Sequence, residues 1–273
     1  MQEFDIIEQF FKHKQSIPTS IAVSIGDDGA IQQVPTGYQL VTSIDTLVSG
    51  VHFPPKTAPA ELGYKTLAVS LSDMAAMGAT PTTVLLALTL PTIEHDWLQA
   101  FSNSFFTLAN KHNVHLAGGN ISQGPLNLCT SISGLLPQGQ ALQRNGAKAG
   151  DKLYVSGTLG DAAAGLHMIQ HVKPEQHNKA LIRRFQRPTP QVTCGQQLLP
   201  IATSAIDISD GLAADILHII QASDVGADIY ADKIPLSPNI KTDFDMDTAI
   251  QWALTGGGDY ELCLLLILSE MTN

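Results

Sequence analysis

Acidic residues beside glycine, or within short Asp-rich turns, recur along this chain. Each turn ends an apolar run or lies on a predicted helix. The turns are Gly26-Asp27-Asp28, Ser43-Ile44-Asp45, Ser72-Asp73, Asp207-Ile208-Ser209-Asp210-Gly211 and Gly256-Gly257-Gly258-Asp259. Carboxylates that are brought together repel one another unless cations lie between them. Hard oxygen ligands suit Mg²⁺, which is often held by a few carboxylates together with substrate phosphates. If the turns converge, the chain is a multi-metal enzyme of phosphate chemistry.

Each turn taken alone also has an ordinary structural explanation. Asp28 fits a hairpin turn, and Asp45 fits a helix N-cap. Asp73 is different, because it lies on an Ala- and Met-rich helix face where burying an unpaired carboxylate is unfavourable, and a cation would remove that cost. Asp207 and Asp210 fit a capping turn, but Gly211 opens a helix. The first backbone N–H groups of that helix are therefore candidates for phosphate oxygens.

Strands and helices alternate along both halves of the chain. The first half predicts strands at 21–25, 38–44, 83–90, 113–117 and 126–135, a turn at Gly118-Gly119-Asn120, and helices at 4–12, 61–77 and 94–111. The second half predicts strands at 152–156, 204–208, 226–231 and 260–268, and helices up to 171 and at 192–202, 211–222 and 247–254. Pro137-Gln138-Gly139-Gln140 interrupts the pattern, which predicts one domain over 1–137 and another over 138–273. The fold class is α/β, or mixed α+β.

Charge and composition exclude several functions. The net charge is −10 and no basic stripe occurs, which argues against nucleic-acid binding. Anionic small substrates remain compatible, because bound metal can invert the local field. No apolar run approaches the ~20 residues of a membrane span, and we expect neither a membrane protein nor a signal peptide. Cys129, Cys194 and Cys263 are far apart and odd in number, which favours a reducing cytoplasm over a disulfide framework or zinc ribbon.

Several familiar catalytic motifs are missing from the sequence. It contains no GxxxxGK[ST] loop, no HRD or DFG kinase motif, no GxGxxG after a strand and no HExxH. His112 and His115 are three residues apart but lack a third metal ligand, so a helix end followed by a strand start explains them better. The acidic turns are therefore the main chemical signal.

The joint order of these turns resembles the thiamine-monophosphate kinase family, in the superfamily of aminoimidazole-ribonucleotide synthetase and selenophosphate synthetase. The matching stretches cover nearly the whole chain in family order. They are IGDDGAI (25–31), SIDTLVSGVHF (43–53), YKTLAVSLSDMAAMGATP (64–81), LAGGNISQGPL (116–126), RNGAKAGDKLYVSGTLGDAAAGL (144–166), RPTPQ (187–191), AIDISDGLAADILHI (205–219) and GGGDYELC (256–263).

The resemblance implies a two-domain fold like that of aminoimidazole-ribonucleotide synthetase. It implies a homodimer whose N-terminal domains join their sheets, with ATP bound near that interface, and a C-terminal α/β domain. It also implies ATP- and Mg²⁺-dependent phosphorylation of thiamine monophosphate, the last step of thiamine diphosphate biosynthesis, by direct in-line transfer without a phosphoenzyme. Several Mg²⁺ ions and ATP as co-substrate are expected, and a requirement for a monovalent cation is left open.

The resemblance also assigns residues. It implies metal ligands at Asp28, Ser43, Ile44 (through its carbonyl), Asp45, Asp73, Asn120, Asp207 and Asp210. It implies nucleotide contacts at Gly119, Asn120, Arg144 and Ser209, and contacts to thiamine phosphate at His52 and Gly258. Catalysis then falls to Asp210, which would help to hold Mg²⁺ at the phosphates, and to Arg144, which would add a fixed positive charge on the nucleotide.

Three departures from the family pattern stand out. Asn120 replaces the aspartate of a GGDT motif, and Gly258 replaces the glutamate of a GGEDYE motif. The chain also ends soon after the strand at 260–268, so we expect a C-terminal domain truncated relative to the family and an apolar strand with little to cover it. These departures keep open a catalytically impaired relative that only binds nucleotide or thiamine phosphates. Another ATP-using enzyme of the superfamily is the remaining alternative.

Restoring the family aspartate tests the role of position 120. Asn120→Asp adds one negative charge to an oxygen ligand, so the variant is expected to reach half its maximal turnover at a lower Mg²⁺ concentration than the wild type. The Mg²⁺ dependence of turnover is the measurement. An unchanged dependence would mean that residue 120 does not contact metal in this chain.

Overall fold

The computed structural model describes residues 3–12 and 14–267. The chain divides into two compact units. The first comprises the residues up to Met74 together with Thr80–Gly139. The second comprises Ala75–Ala79 and the residues from Gln140 onward.

The strands of the first unit are β1 (Ile21–Val23), β2 (Ile31–Gln32), β3 (Tyr38–Val48), β4 (Thr80–Leu90), β5 (His115–Gln123) and β6 (Asn127–Pro137). Four of them form a sheet with the order β3-β6-β4-β5, and β1 and β2 pair with each other in a two-stranded sheet. Its helices are α1 (Glu3–Ile7), continued by a π-helical turn at Glu8–Lys12, then α2 (Pro59–Ala76) and α3 (His95–Lys111). β4 and β5 run parallel and are joined by α3, whereas β6 is antiparallel to both β3 and β4.

Apolar side chains at helical spacing form the core of this unit. On α3, Trp97, Phe101 and Phe105 stack in sequence, with ring centroids 5.1 and 6.3 Å apart. On α2, Leu67 and Leu71 are fully buried. The 3.6-residue spacing of apolar residues in the sequence predicted both long helices, and the structure confirms them. Along β6, buried and half-buried residues alternate, so one face of the sheet is covered.

The strands of the second unit are β7 (Lys152–Val155), β8 (Ala202–Asp207) and β9 (Leu262–Leu266). They form an antiparallel sheet with the order β7-β9-β8. Its helices are α4 (Asp161–His171), α5 (Lys179–Gln186), α6 (Val192–Leu198), α7 (Leu212–Ser223), α8 (Pro238–Asp243) and α9 (Met246–Thr255). A core of aliphatic residues from α4, α7, α8, α9 and the sheet holds the unit together.

The expectation of a poorly covered last strand is wrong for the described residues. β9 is the central strand of its sheet, paired on one side with β7 and on the other with β8. Leu262 and Cys263 are fully buried. Residue 268, which was included in the predicted strand, and 269–273 lie outside the described residues.

Three local predictions also fail. Gly118-Gly119-Asn120 lies inside β5 rather than in a turn, where it pairs with residues 85–87 of β4 after a register shift. The predicted strand at 226–231 does not form, and Gly226 and Asp228 disfavour one. Helix α6 ends at Leu198 instead of 202, because Pro200 has no backbone N–H to continue the helical hydrogen bonds. Among the described residues, no helix is long and apolar enough to cross a membrane.

Candidate active site

Three predicted metal ligands, Ser43, Asp45 and Asp73, meet in the first unit. Ser43 and Asp45 lie two residues apart on β3 and therefore share one face, whereas the side chain of Ile44 points to the other face and is 68% exposed. The Ser43 hydroxyl donates a hydrogen bond to the Asp73 carboxylate on α2. The side chains of Asp45 and Asp73 also hydrogen-bond to each other. Two carboxylates in direct contact need a shared proton or a cation.

Hydroxyl groups behind Asp45 hold it in place. Ser70 on α2 donates to the Asp45 carboxylate at 2.7 Å. The Thr130 hydroxyl on β6 lies 2.7 Å from the Ser70 hydroxyl and 3.1 Å from the Thr66 carbonyl, and its single proton can go to either acceptor. Burial raises the pKa of Asp45, and the hydrogen bonds from Ser70 and Asp73 oppose that rise. Sequence reasoning missed Ser70, although it lies one helical turn before Asp73.

A cavity of about 480 Å³ in the first unit collects another set of predicted residues. Asp28, Gly119 and Asn120 line it, together with apolar side chains from α1, β4 and β5. Its volume is typical of a site for a small molecule. A Cβ atom at Gly119 would lie 1.9 Å from the carbonyl oxygen of Leu86, so only glycine fits there.

Polar contacts fix the strand that carries Asn120. The Asn120 amide donates to the Ser122 hydroxyl at 3.0 Å. The carboxylate of Glu3, on α1, accepts a hydrogen bond from the backbone N–H of Ile121 at 3.2 Å. Glu3 is a contact that the sequence did not suggest. His52 lies elsewhere, in an exposed turn after β3, where its Nδ1 accepts from the backbone N–H of Val48.

The second unit brings Ser209, Asp210 and Gly258 together. The pairing of β8 with β9 continues beyond both strands, because the Ile208 N–H donates to the Glu261 carbonyl at 2.7 Å. Further along, the Gly258 N–H donates to the Ser209 carbonyl at 2.8 Å. Gly258 has a φ of +96°, a conformation that favours glycine. Asp207, at the end of β8, is buried.

Asp215 overturns one expectation about this loop. Its Oδ2 accepts hydrogen bonds from the backbone N–H groups of Ser209 (2.9 Å), Asp210 (2.9 Å) and Gly211 (3.1 Å). Of the N–H groups at the helix start that were candidates for phosphate, the N–H of Gly211 is therefore taken by Asp215, and for the others it stays a prediction. Burial raises the pKa of Asp215, and the charge of Asp210 adds to that rise. An acidic residue in the first turn of α7 was the available signal.

Asp259 accepts hydrogen bonds from backbone N–H groups at the start of α4, as Asp215 does before α7. It is almost fully buried, and its carboxylate accepts from the N–H groups of Gly160 (2.6 Å) and Ala162 (2.9 Å). Gly160 is the N-cap residue and has no side chain that could do this. Asp259 thus caps the helix from 97 residues away in sequence.

Glu261 is the acceptor of a buried polar cluster. It accepts hydrogen bonds from Arg184 (2.7 Å), Gln191 (2.8 Å) and Ser156 (2.5 Å). A Cβ atom at Gly157 would lie 2.6 Å from its carboxylate. The last part of the GGGDYE motif therefore holds α4, α5 and the residue before α6 in place.

The predicted site residues thus fall into separate groups. The first unit holds one group of Ser43, Asp45 and Asp73 and another of Asp28, Gly119 and Asn120. The second unit holds Asp207, Ser209, Asp210 and Gly258, and also Arg144, an exposed residue whose carbonyl accepts from Ser204 and Ser223. Within the described part of the chain, no three His, Cys, Asp or Glu side chains form a ready-made metal site.

Comparison with known proteins decides the family. The family model for the N-terminal domain of AIR synthase related proteins matches residues 26–136, and that for the C-terminal domain matches residues 148–250. A thiamine-monophosphate kinase of Salmonella typhimurium is 47% identical over 264 residues, covering 96% of this chain and 81% of that relative. The chain belongs to the thiamine-monophosphate kinase family.

Solved structures agree with this membership. A crystal structure of thiamine-monophosphate kinase from Stenotrophomonas maltophilia has a TM-score of 0.88 and 44% identity, covering 93% of this chain and 82% of that one. A structure of AaThiL complexed with AMPPCP and TMP has a TM-score of 0.82 and 33% identity, covering 91% of this chain and 82% of that one. The two-domain α/β fold that the resemblance implied is confirmed.

Titration of Asp259 predicts a pH-dependent stability. Burial raises the pKa of Asp259 to about 6. Because this lies above the value of about 3.9 for an unfolded aspartate, its contribution to stability is full below about pH 4 and is lost as pH rises through 6. The difference in free energy of unfolding between the wild type and Asp259→Asn should fall by about 2–3 kcal/mol from pH 4 to pH 7.

Urea unfolding at several pH values measures this difference. Asp224→Asn, at an exposed aspartate, is the matched control, and its difference in free energy of unfolding from the wild type should not change with pH. A difference that grows with pH would mean that the two backbone N–H donors outweigh burial at Asp259.

Proposed function

We propose that this chain transfers the terminal phosphoryl group of ATP to thiamine monophosphate and forms thiamine diphosphate. The observation that carries the proposal is the identity of 46–47% with named thiamine-monophosphate kinases over 96% of the chain. The likeness to a relative complexed with AMPPCP and TMP supports the same pair of substrates. The apposed carboxylates of Asp45 and Asp73 add a chemical reason, since phosphate transfer between two anions requires charge neutralisation.

The donor atoms fit Mg²⁺. Ser43, Asp45 and Asp73 offer only oxygen, and Asp45 and Asp73 already touch. When bound, Mg²⁺ ions would neutralise phosphate charge and allow two polyanions to approach. We assign ligand roles to Asp28, Ser43, the Ile44 carbonyl, Asp45, Asp73, Asn120, Asp207 and Asp210.

Other residues would bind and orient the substrates. Gly119, Asn120 and Ser209 would contact the nucleotide, and Arg144 would place a fixed positive charge on its phosphates. His52 and Gly258 would contact thiamine phosphate. The acceptor is already an anionic phosphate oxygen, so no strong general base is needed, and the contribution of these residues is positioning for direct in-line transfer.

We further propose a homodimer formed along β3. This strand lies at the end of the four-stranded sheet, and no described strand pairs with its outer edge. It is 11 residues long, and its Leu40 and Ile44 side chains are 49% and 68% exposed. Long unprotected edges invite pairing with another chain, and a two-fold axis lets one edge pair with its own copy.

The three unpaired cysteines support a reducing compartment, and we place the protein in the cytoplasm.

A charge on the β3 edge should disrupt the dimer. Leu40→Lys places an ammonium group on the exposed face of β3, so the variant is expected to sediment as a monomer at concentrations where the wild type is dimeric. Analytical ultracentrifugation makes the measurement. Leu217→Lys, at an exposed position on α7, is the control. A wild type that is monomeric at high concentration would refute the dimer.

Turnover is the direct test of the activity. Purified protein with ATP, Mg²⁺ and thiamine monophosphate should form thiamine diphosphate, and Asp210→Asn should lower the rate on the order of 100-fold or more with an unchanged melting temperature. Asp224→Asn removes the same charge from an exposed position and should retain the full rate. Near-normal turnover by Asp210→Asn would remove Asp210 from the site. Tight ligand binding by a folded wild type without turnover would favour the non-catalytic alternative.

A further inference from the structure

Three consecutive backbone N–H groups converge on one buried oxygen in the second unit. The oxygen is Oδ2 of Asp215, and the N–H groups belong to Ser209, Asp210 and Gly211. Successive N–H groups of this kind form a concavity that binds an anion. Here the anion is part of the chain itself, since Asp215 is only 3% exposed. The concavity is therefore filled before any ligand arrives.

Filling this concavity determines which atoms the loop presents outward. The Asp210 N–H is directed at Asp215, while the Asp210 side chain is exposed to solvent. Asp215 is thus an internal anchor, and Asp210 is the outward carboxylate on the same loop. The carboxylate of Asp215 also lies in the first turn of α7, where the helix dipole favours negative charge.

Other contacts fix the loop from its remaining sides. The Ser209 carbonyl accepts from the Gly258 N–H at 2.8 Å. The Gly211 carbonyl accepts from the N–H groups of Ala214 and Asp215 at 3.0 Å each. Gly211 has a φ of +112°, and a Cβ atom there would lie 2.8 Å from the Leu254 carbonyl oxygen. Neighbouring backbone thus confines both ends of the loop, and Asp215 holds its centre.

We propose that Asp215 is the positioning residue for Ser209 and Asp210. This inference rests on the proposed function, because it assigns Asp215 a role through two residues of that site. Asp215 acts without touching substrate: it holds the loop backbone so that the Asp210 carboxylate needs no reorganisation when Mg²⁺ and ATP bind. Preorganised charge of this kind lowers a reaction barrier more than charge that must move into place.

A graded pair of substitutions tests the proposal. Asp215→Asn keeps one oxygen acceptor but loses the charge, whereas Asp215→Ala removes the acceptor and leaves three N–H groups without it. Turnover per folded molecule should fall on the order of tenfold for Asp215→Asn and 100-fold for Asp215→Ala. The Mg²⁺ concentration for half-maximal turnover should rise in the same order. Asp224→Asn, at the C-terminal end of the same helix, is the matched control and should leave both values unchanged.

Calorimetry supplies a readout that does not depend on turnover. The affinity for ATP in the presence of Mg²⁺ should fall from the wild type to Asp215→Asn and again to Asp215→Ala. The variants could instead have a lower melting temperature but unchanged ATP affinity, turnover per folded molecule and Mg²⁺ dependence. That result would give Asp215 a structural role alone and overturn the proposal. If the wild type shows no turnover, the proposed function fails, but the order of the three ATP affinities still decides the role of Asp215.

Discussion

Burying a carboxylate is unfavourable unless hydrogen-bond donors surround it, and the second unit meets this constraint with backbone N–H groups. Asp215 accepts from three of them and Asp259 from two. Each of these carboxylates is buried, and each fixes a loop or helix start that would otherwise have unsatisfied donors. The hydrogen bonds to Asp215, together with the contacts at Ser209 and Gly211, hold the backbone that carries the exposed Asp210. Hydrogen bonds from backbone N–H groups to buried carboxylates therefore support both the fold of this unit and its candidate site.

The first unit satisfies its buried polar groups differently. Asp45 is supported by the hydroxyl of Ser70, and Ser70 in turn by Thr130, so side chains rather than backbone N–H groups provide the contacts. Hydroxyl groups carry no charge, so Asp45 and Asp73 can both be ionised only with a cation beside them. This arrangement favours a cation beside the two carboxylates. Asp215, in contrast, accepts from three backbone N–H groups.

The sequence predicted those helices and turns that depend on residues close to one another in the chain. The helical period of Phe101 and Phe105 gave α3, and the acidic turns gave residues that the structure groups within each unit. Strand order is different, because pairing partners are far apart in sequence. Nothing in the residues around Leu262 shows that β9 lies between β7 and β8. The N–H group at Gly211 is a different case, because its acceptor, Asp215, lies only four residues away, and the position of Asp215 in the first turn of α7 was a local signal.

The two departures from the family motifs differ in kind. Asn120 donates to the hydroxyl of Ser122, and a hydroxyl can equally donate to an aspartate, so either residue fits that position without a change in backbone. Gly258 has a φ of +96°, which a side chain at this position would strain, and its N–H is held by the Ser209 carbonyl. Replacing Asn120 by aspartate therefore changes charge alone. Replacing Gly258 by glutamate would change charge and backbone conformation together, and the altered backbone would act directly on the loop that Asp215 holds.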